Sequence, residues 1–213
     1  MRIITISREF GSGGRELGKR IADLLKCDYY DTEIISAVAE KCKMDVNYVE
    51  NVLDNHGWKN HTITFHGTLS SPFYIQSSKI SLFIEQKKVI EEIAALGKDF
   101  VIVGRNADTI LEKYHPFNIF VCAKKEAKVK RCLERASENE KLSEKQLLQK
   151  MKKIDLMRSQ TREILTDSTW GKRDNYHLTV NTTDWKIKNL AVGVVFMIER
   201  WFEENDETKH SII

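Results

Sequence analysis

The residues that most clearly carry chemistry lie near the amino terminus, where Gly11, Gly13 and Gly14 fall within four positions. A loop this rich in glycine can turn its backbone N–H groups inward around an anion. The apolar spacing of residues 15–25 predicts a helix directly behind the loop, and the positive end of its dipole attracts the same anion. We therefore predict a phosphate-binding loop in which the amides of Ser12 and of the last two glycines hold the ligand.

The loop departs from the standard nucleotide-binding pattern G-x-x-x-x-G-K-[ST], in which the lysine reaches the β- and γ-phosphates and the hydroxyl holds Mg²⁺. When Gly11 and Gly13 serve as the later glycines of this pattern, Gly14 occupies the lysine position, and neither residue 15 nor residue 16 is a serine or threonine. A second register, which uses residues 18–19, would place the loop inside the predicted helix. The first register is preferred, and it lacks both the lysine and the hydroxyl.

The missing lysine must be replaced by another cation if the loop is to bind phosphate. Arg8, at the end of the first predicted strand, and Arg15, at the start of the helix, are the two candidates. A metal ion would then depend on Ser12 or on a carboxylate elsewhere, and its ligands stay undetermined. The alternative is a strand-to-helix turn that binds nothing, although a simple turn seldom needs three glycines.

Three more candidate residues follow predicted strands. Arg105 and Asn106 come directly after the apolar run 100–103, and Asp31 follows the short extended segment 28–30. An arginine at a strand end can grip a phosphate with its two-pronged guanidinium. The alternatives are a surface arginine for Arg105 and simple helix capping for Asp31.

Another group lies in the charged second half of the sequence. Arg158 and Arg162 are four residues apart in a predicted helix, so both guanidinium groups share one face. Asp155, three residues before Arg158, is placed to steady it. An ordinary solvated helix is the alternative interpretation, and it is the preferred one for a second pair with the same spacing, Arg131 and Arg135.

These residues need a scaffold that brings strand ends together. Continuous apolar runs alternate with amphipathic segments, which favours an α/β fold with a parallel sheet and right-handed crossovers. Such sheets place their sites at the carboxyl ends of the strands, where the glycine loop, Asp31 and Arg105 all fall. Residues 55–78 lack a clear period and are interpreted as a mobile lobe or a substrate loop. The predicted strands are residues 2–6, 28–30, 100–103, 118–122 and 176–181, and the predicted helices include residues 15–25, 33–43, 79–96, 107–113, 124–136, 143–165 and 185–202.

Composition limits the expected partners. The chain of 213 residues is 31% charged with a net charge of +3, so it indicates no broad surface for nucleic acid. No apolar run approaches the ~20 residues needed to cross a bilayer, and the four dispersed cysteines are typical of reduced thiols in the cytoplasm. We expect a cytoplasmic protein that binds neither nucleic acid nor membrane, and the oligomeric state is not indicated.

In four segments, which occur in the same order along the sequence, the chain resembles the cytidylate kinase-like family of P-loop nucleoside monophosphate kinases. The resemblance covers about residues 1–200 and rests on segments 4–15, 29–31, 101–108 and 118–122, the last followed by a basic helix. It implies a P-loop NTPase-like parallel sheet flanked by helices in one domain, residues 1–205. It also implies an inserted helical acceptor lobe at about 45–88 and a lid at about 138–175, followed by a polar tail at 206–213.

The activity implied by the resemblance is ATP-dependent phosphoryl transfer, with Mg²⁺, to a small acceptor. A CMP-like nucleoside monophosphate is the favoured acceptor. Positioning and charge neutralisation dominate such reactions. The residues implied to hold the donor are Arg8, Gly11, Ser12, Gly13, Gly14 and Arg15. The implied catalytic cations are Arg15, Arg105, Arg158 and Arg162, and the implied acceptor contacts are Asp31, Arg105 and Asn106.

Two departures from the family pattern bear on the substrate. No arginine occurs between Arg20 and Arg105, although such kinases usually place one in the acceptor lobe. Asn106 also stands where authentic cytidylate kinases carry the aspartate of Gly-Arg-Asp. These differences weaken the expectation of CMP itself. The alternative function is a nucleotide-binding regulatory protein that has kept the loop with little or no turnover.

Overall fold

A central sheet of five parallel strands organises the chain. This computed structural model describes residues 1–50, 52–53, 64–65, 68–69, 72–136 and 142–210, with backbone alone for 64–65, 68–69, 72–79 and 206–210. The strands are β1 (Ile3–Arg8), β2 (Asp28–Tyr30), β3 (Thr64–Phe65), β4 (Thr68–Leu69), β5 (Phe100–Val103), β6 (Phe117–Cys122) and β7 (Leu178–Asn181). The central sheet has the order β2-β5-β1-β6-β7, and β3 and β4 form a separate antiparallel pair.

Eight α-helices occur in the described part of the chain. They are α1 (Gly14–Leu25), α2 (Glu33–Cys42), α3 (Val46–Glu50), α4 (Pro72–Ala95), α5 (Ala107–Ile110), α6 (Lys125–Arg135), α7 (Glu144–Leu165) and α8 (Ile187–His210). Helices α2 and α4 cover the face that carries Phe100 and Ile102. Helices α1 and α8 cover the opposite face, which carries Val101 and Val103. Because both faces are buried, the strands are apolar at successive positions, and the predicted α/β sheet is confirmed.

The register of the middle strand determines which residues meet at the carboxyl edge of the sheet. Ile6 pairs with Val103 of β5, and Arg8 at the end of β1 pairs with Val121 of β6. The loop after β1 therefore lies beside the turn after β5, which begins at Gly104. Two candidate segments that are far apart in the sequence are neighbours for this reason.

Several helix boundaries and segments differ from the prediction, among them the helix predicted over 107–113, of which α5 covers only Ala107–Ile110. Helix α4 begins at Pro72, seven residues before the predicted start, because proline suits the first turn of a helix. Helix α8 continues to His210 rather than ending at residue 202, since residues 203–210 contain neither glycine nor proline. The predicted polar tail at 206–213 is thus helical in its described part. The predicted substrate loop contains β3, β4 and the first turns of α4.

The acceptor lobe at 45–88 and the lid at 138–175 stay predictions. Their described parts include α3 and most of α4 for the lobe, and α7 for the lid. Residues 54–63 and 137–141 lie outside the described residues. Among the helices that are described, none has the length and apolar character needed to cross a bilayer.

Candidate active site

The glycine loop connects β1 to α1 and is tightly enclosed by its neighbours. Gly11 and Gly13 have positive φ angles of 75° and 86°, in the left-handed region that glycine adopts readily. A Cβ atom on Gly11 would lie 2.8 Å from Cys132 Sγ, and one on Gly13 would lie 2.9 Å from Ile187 Cδ1. Side chains at these positions would displace α6 or α8, so the loop requires glycine for its shape and its packing.

Hydrogen bonds from outside the loop hold its carbonyl groups. Arg131 donates through Nη1 to the Gly11 carbonyl at 2.8 Å, and Thr182 Oγ1 donates to the Ser12 carbonyl at 2.6 Å. Ser12 is fully buried, and its hydroxyl donates to the Glu9 carbonyl at 2.8 Å. Behind the loop, the first amides of α1 have no intrahelical acceptors and suit an anion. The loop is therefore a preformed cradle of the kind that phosphate requires.

A cavity of about 900 Å³ opens between the glycine loop and α7. Its lining, as far as the structure describes it, is strongly cationic, because seven Arg or Lys side chains accompany only two carboxylates. This balance suits a ligand with several negative charges, such as the phosphate groups of a nucleotide. The cations are Arg8, Arg15, Arg105, Arg131, Arg135, Lys150 and Arg158, and the carboxylates are Glu9 and Glu50.

Asp31 is buried at the end of β2 and joins the two arginines that flank the loop. Arg15 pairs with its carboxylate through Nε, and Arg8 Nη2 lies 3.6 Å from Oδ1. The side chain of Arg8 is 13% exposed, whereas that of Arg15 is 60% exposed. Asp31 is not part of the cavity lining, contrary to its predicted contact with an acceptor. Its position beneath the arginines makes it a support for them instead.

Gly104, Arg105 and Asn106 form the turn after β5 with three consecutive positive φ angles, of 78°, 63° and 52°. Residues other than glycine seldom adopt this region, and such strain is concentrated at functional sites. Arg105 is 9% exposed, and its carbonyl accepts a hydrogen bond from Gln86 Nε2 at 3.4 Å. The turn and Gln86 all line the cavity. The strained backbone thus places Arg105 and Asn106 at the strand-end position that the sequence predicts.

Helix α7 is attached to the loop by two side chains. Arg158 Nη1 donates to the Arg8 carbonyl at 2.9 Å and to Asp155 Oδ1 at 3.1 Å, so the predicted Asp155–Arg158 pair forms. Asp155 also accepts a hydrogen bond from the Phe10 amide at 2.7 Å. Burial raises the pKa of Asp155, although the Phe10 amide and Arg158 act in the opposite direction. Arg158 is consequently held at the cavity, next to the glycine loop.

Arg162 does not line the cavity, contrary to its predicted place beside Arg158. Its side chain is 5% exposed and pairs with Asp108, whose side chain is 3% exposed. Its Nε also donates to Ser168 Oγ at 2.7 Å. The two arginines do share a helix, but a step of four residues moves the second guanidinium about 6 Å along the axis. That displacement carries Arg162 to α5, where it joins two helices.

Arg131 reaches the site although its spacing favoured an ordinary surface position. Besides Gly11, it donates to the Thr182 carbonyl at 3.2 Å, and burial lowers the pKa of Arg131. Arg135 lies one turn later, is half-exposed, and pairs with Glu16. Neither Arg131 nor Thr182 carries a local signal in the sequence, because the carbonyls that they bind lie 51 to 170 residues away.

Mg²⁺ fits the described residues around the loop poorly. Glu16, in the first turn of α1, pairs with Arg20, and Asp31 pairs with Arg15. Ser12 is fully buried. Within the part of the chain that the structure describes, no cluster of three or more acidic, histidine or cysteine side chains could hold a metal. A magnesium ion would therefore have to be held mainly by phosphate oxygens and water.

Known proteins resemble this chain in both sequence and fold. A model of the cytidylate kinase-like family matches residues 3–184, and no protein of curated function matches. An uncharacterized protein from Eubacterium ventriosum has 25% identity and a TM-score of 0.69, with 93% of this chain and 99% of that chain covered.

Two more distant structures show the fold alone. A shikimate kinase from Acinetobacter baumannii, solved in complex with shikimate, has 14% identity and a TM-score of 0.51, with 94% of each chain covered. A sugar kinase from a Janibacter species has 10% identity and a TM-score of 0.52, with 93% of this chain and 95% of that chain covered. Both share the arrangement of strands and helices that positions the loop.

Proposed function

Because this chain belongs to the cytidylate kinase-like family, we propose that it transfers the γ-phosphoryl group of ATP to a small acceptor. The observation that carries this proposal is the cationic cavity at the carboxyl ends of the parallel strands. Parallel α/β sheets bind ligands at this edge, and the glycine loop lies at its centre. Family and fold both support a phosphotransferase.

In the proposed mechanism, the chain supplies position and charge rather than a covalent partner. The amides at the start of α1 bind the donor phosphates, with Arg8 beside them. Arg105 from the turn after β5 and Arg158 from α7 stabilise the charge that spreads over the moving phosphoryl group. Helix α7, attached to the loop through Asp155, serves as the lid and excludes water, which would otherwise accept the phosphoryl group.

A CMP-like nucleoside monophosphate is the proposed acceptor. On the side of α3 and α4, Leu53 and Phe83 give the cavity an apolar wall, and Glu50 and Gln86 add polar groups. An apolar wall with a few polar groups suits a nucleobase. Arg105 adjoins this side through its contact with Gln86, where its guanidinium suits the phosphate of the acceptor.

The experiment that tests the proposal is a coupled ADP-release assay with ATP and Mg²⁺ against nucleoside monophosphates, nucleosides, shikimate and sugars. We expect turnover with a nucleoside monophosphate. Arg105→Ala should then lower kcat/KM by about 100-fold or more, as expected for the loss of a cation that stabilises transition-state charge. Arg173→Ala is the matched control, because that side chain is 91% exposed. Normal turnover by a folded Arg105→Ala protein would contradict the site assignment.

A nucleotide-binding regulator is the second candidate function. The observation that favours it is the absence of the standard lysine and hydroxyl from the loop, where Gly14 and Arg15 stand instead. The same assay separates the two functions when it is combined with calorimetric titration of ATP and ADP. Tight nucleotide binding without ADP release for any acceptor would support the regulator. Failure to bind either nucleotide would contradict both functions.

A further inference from the structure

Two positions of the glycine loop, residues 8 and 14, differ in side-chain size from the standard pattern. In G-x-x-x-x-G-K, the first glycine lies five residues before the second. With Gly13 as the second glycine, the first position is Arg8 and the lysine position is Gly14. The loop therefore has a long cationic side chain, Arg8, where the pattern has glycine. It has glycine, Gly14, where the pattern has lysine.

These two positions touch in the folded protein. A Cβ atom on Gly14 would lie 2.6 Å from Arg8 Cβ and 3.0 Å from Arg8 Cγ. Both of these Arg8 atoms are close to the backbone of β1, so they cannot move aside as the tip of a side chain could. The Cβ atom on Gly14 would also lie 3.4 Å from Val121 Cβ. Consequently one of the two positions, but not both, can carry a side chain.

The remainder of the Arg8 side chain crosses the carboxyl edge of the sheet. A Cβ atom on Gly104 would lie 2.7 Å from Arg8 Cζ, so the guanidinium lies directly over that glycine. Its Nη2 is 3.6 Å from the buried Asp31. The side chain is 13% exposed and lines the cavity. Arg8 is thus fixed in place before any ligand binds, whereas the side chain of Arg15, the other candidate, is 60% exposed.

We propose that this loop exchanges two residues of the standard pattern. Glycine stands at the lysine position, Gly14, and Arg8, at the position of the first glycine, supplies the cation for the nucleotide phosphates. Gly14 is glycine because the stem of Arg8 fills the space that the lysine would need. This inference rests on the proposed function, since it assigns the cation of the same nucleotide site. A guanidinium adds paired donors with a fixed geometry, which a lysine at Gly14 would not provide.

The test is to reverse the exchange and to measure ADP binding by calorimetry, a readout that needs no acceptor. The variants are Arg8→Gly, Gly14→Lys and the double variant, which restores the standard pattern. Arg8→Gly should weaken ADP binding by about 10- to 100-fold, the loss expected for charge-assisted hydrogen bonds. Gly14→Lys should weaken it by at least as much, because the lysine collides with Arg8. The double variant should bind within about tenfold of the wild type.

The controls separate charge from folding. Lys19→Gln removes an exposed cation from α1 and should leave ADP binding unchanged. Arg8→Met retains most of the stem that packs against Gly14 and should bind as weakly as Arg8→Gly, which provides the test if the glycine variant fails to fold. Thermal unfolding identifies the variants that are folded.

Three results would overturn the inference. Arg8→Met could bind ADP as the wild type does, a folded Gly14→Lys could bind ADP normally, or a folded double variant could bind no better than Arg8→Gly. Each of these refutes the exchange while the proposed function stands, because the wild type still binds nucleotide. A wild type that binds neither ADP nor ATP refutes the proposed function itself.

Discussion

The buried ion pair between Asp108 and Arg162 indicates a structural role for Arg162. Asp108 lies in α5 and Arg162 in α7, and their side chains are 3% and 5% exposed. Asp108→Asn keeps the size of the side chain and removes its charge. The guanidinium of Arg162 is then left buried with Ser168 as a neutral partner.

The burial of both groups determines the size of the effect. Breaking a buried ion pair by removing one partner costs about 3–5 kcal/mol, because an uncompensated charge stays in the interior. For a chain of this length, that loss corresponds to a fall in Tm of about 6–20 °C. The double variant Asp108→Leu/Arg162→Met removes both charges and should recover most of the lost stability.

The assay combines urea unfolding, followed by tryptophan fluorescence, with ADP release once an acceptor is known. We expect Asp108→Asn to lower the free energy of unfolding, and the double variant to be nearly as stable and as active as the wild type. Asp108→Asn within about 1 kcal/mol of the wild type would refute the electrostatic reasoning. A stable double variant that had lost about 100-fold or more in kcat would show that Arg162 acts on the phosphoryl group after all.

Two further expectations concern pH and metal. His177 Nδ1 accepts a hydrogen bond from the Asn118 amide at 2.9 Å, and burial lowers the pKa of His177. Its contribution to stability is therefore present above the ordinary pKa of about 6.5 and is lost as pH falls below it. Between about pH 7 and pH 5, the Tm of the wild type should fall more steeply than that of His177→Asn, whereas parallel Tm curves would contradict this. Removal of Mg²⁺ with EDTA should change the Kd for ADP by less than about threefold, because Asp31 and Glu16 are already paired with arginines. A loss of more than about tenfold in calorimetric titrations would show that the chain does supply metal ligands.

The sheet was predictable from the sequence because its strands are buried on both faces. The run 100–103 reads as a strand from its unbroken apolar character, and it coincides with β5. The positions of the glycine loop and of Arg105 at the carboxyl edge then followed from the geometry of parallel sheets. The start of α4 was missed because the first turns of that helix lack the apolar period on which the prediction depended.

The partners of individual arginines were less predictable, since they depend on contacts between distant elements. Arg131 and Arg158 each have a second arginine four residues later, and the spacing is identical for both pairs. In the folded chain, Arg131 donates to a carbonyl within the glycine loop and Arg158 to the carbonyl of Arg8 at its start, whereas Arg162 is buried against Asp108. Helical period identifies a shared face, but the element that the face meets is a tertiary property.

The hydrogen bond from Thr182 to the glycine loop makes the completion of the loop depend on the order in which the chain is synthesised. Ser12 is made early, yet the hydroxyl that holds its carbonyl belongs to Thr182, 170 residues later. At about 5–20 residues per second, roughly 10–30 seconds separate the synthesis of these two residues. A nascent chain that ends before Thr182 contains the loop sequence but lacks this hydrogen bond. The hydrogen bonds that hold the glycine loop are therefore complete only after most of the domain has been synthesised.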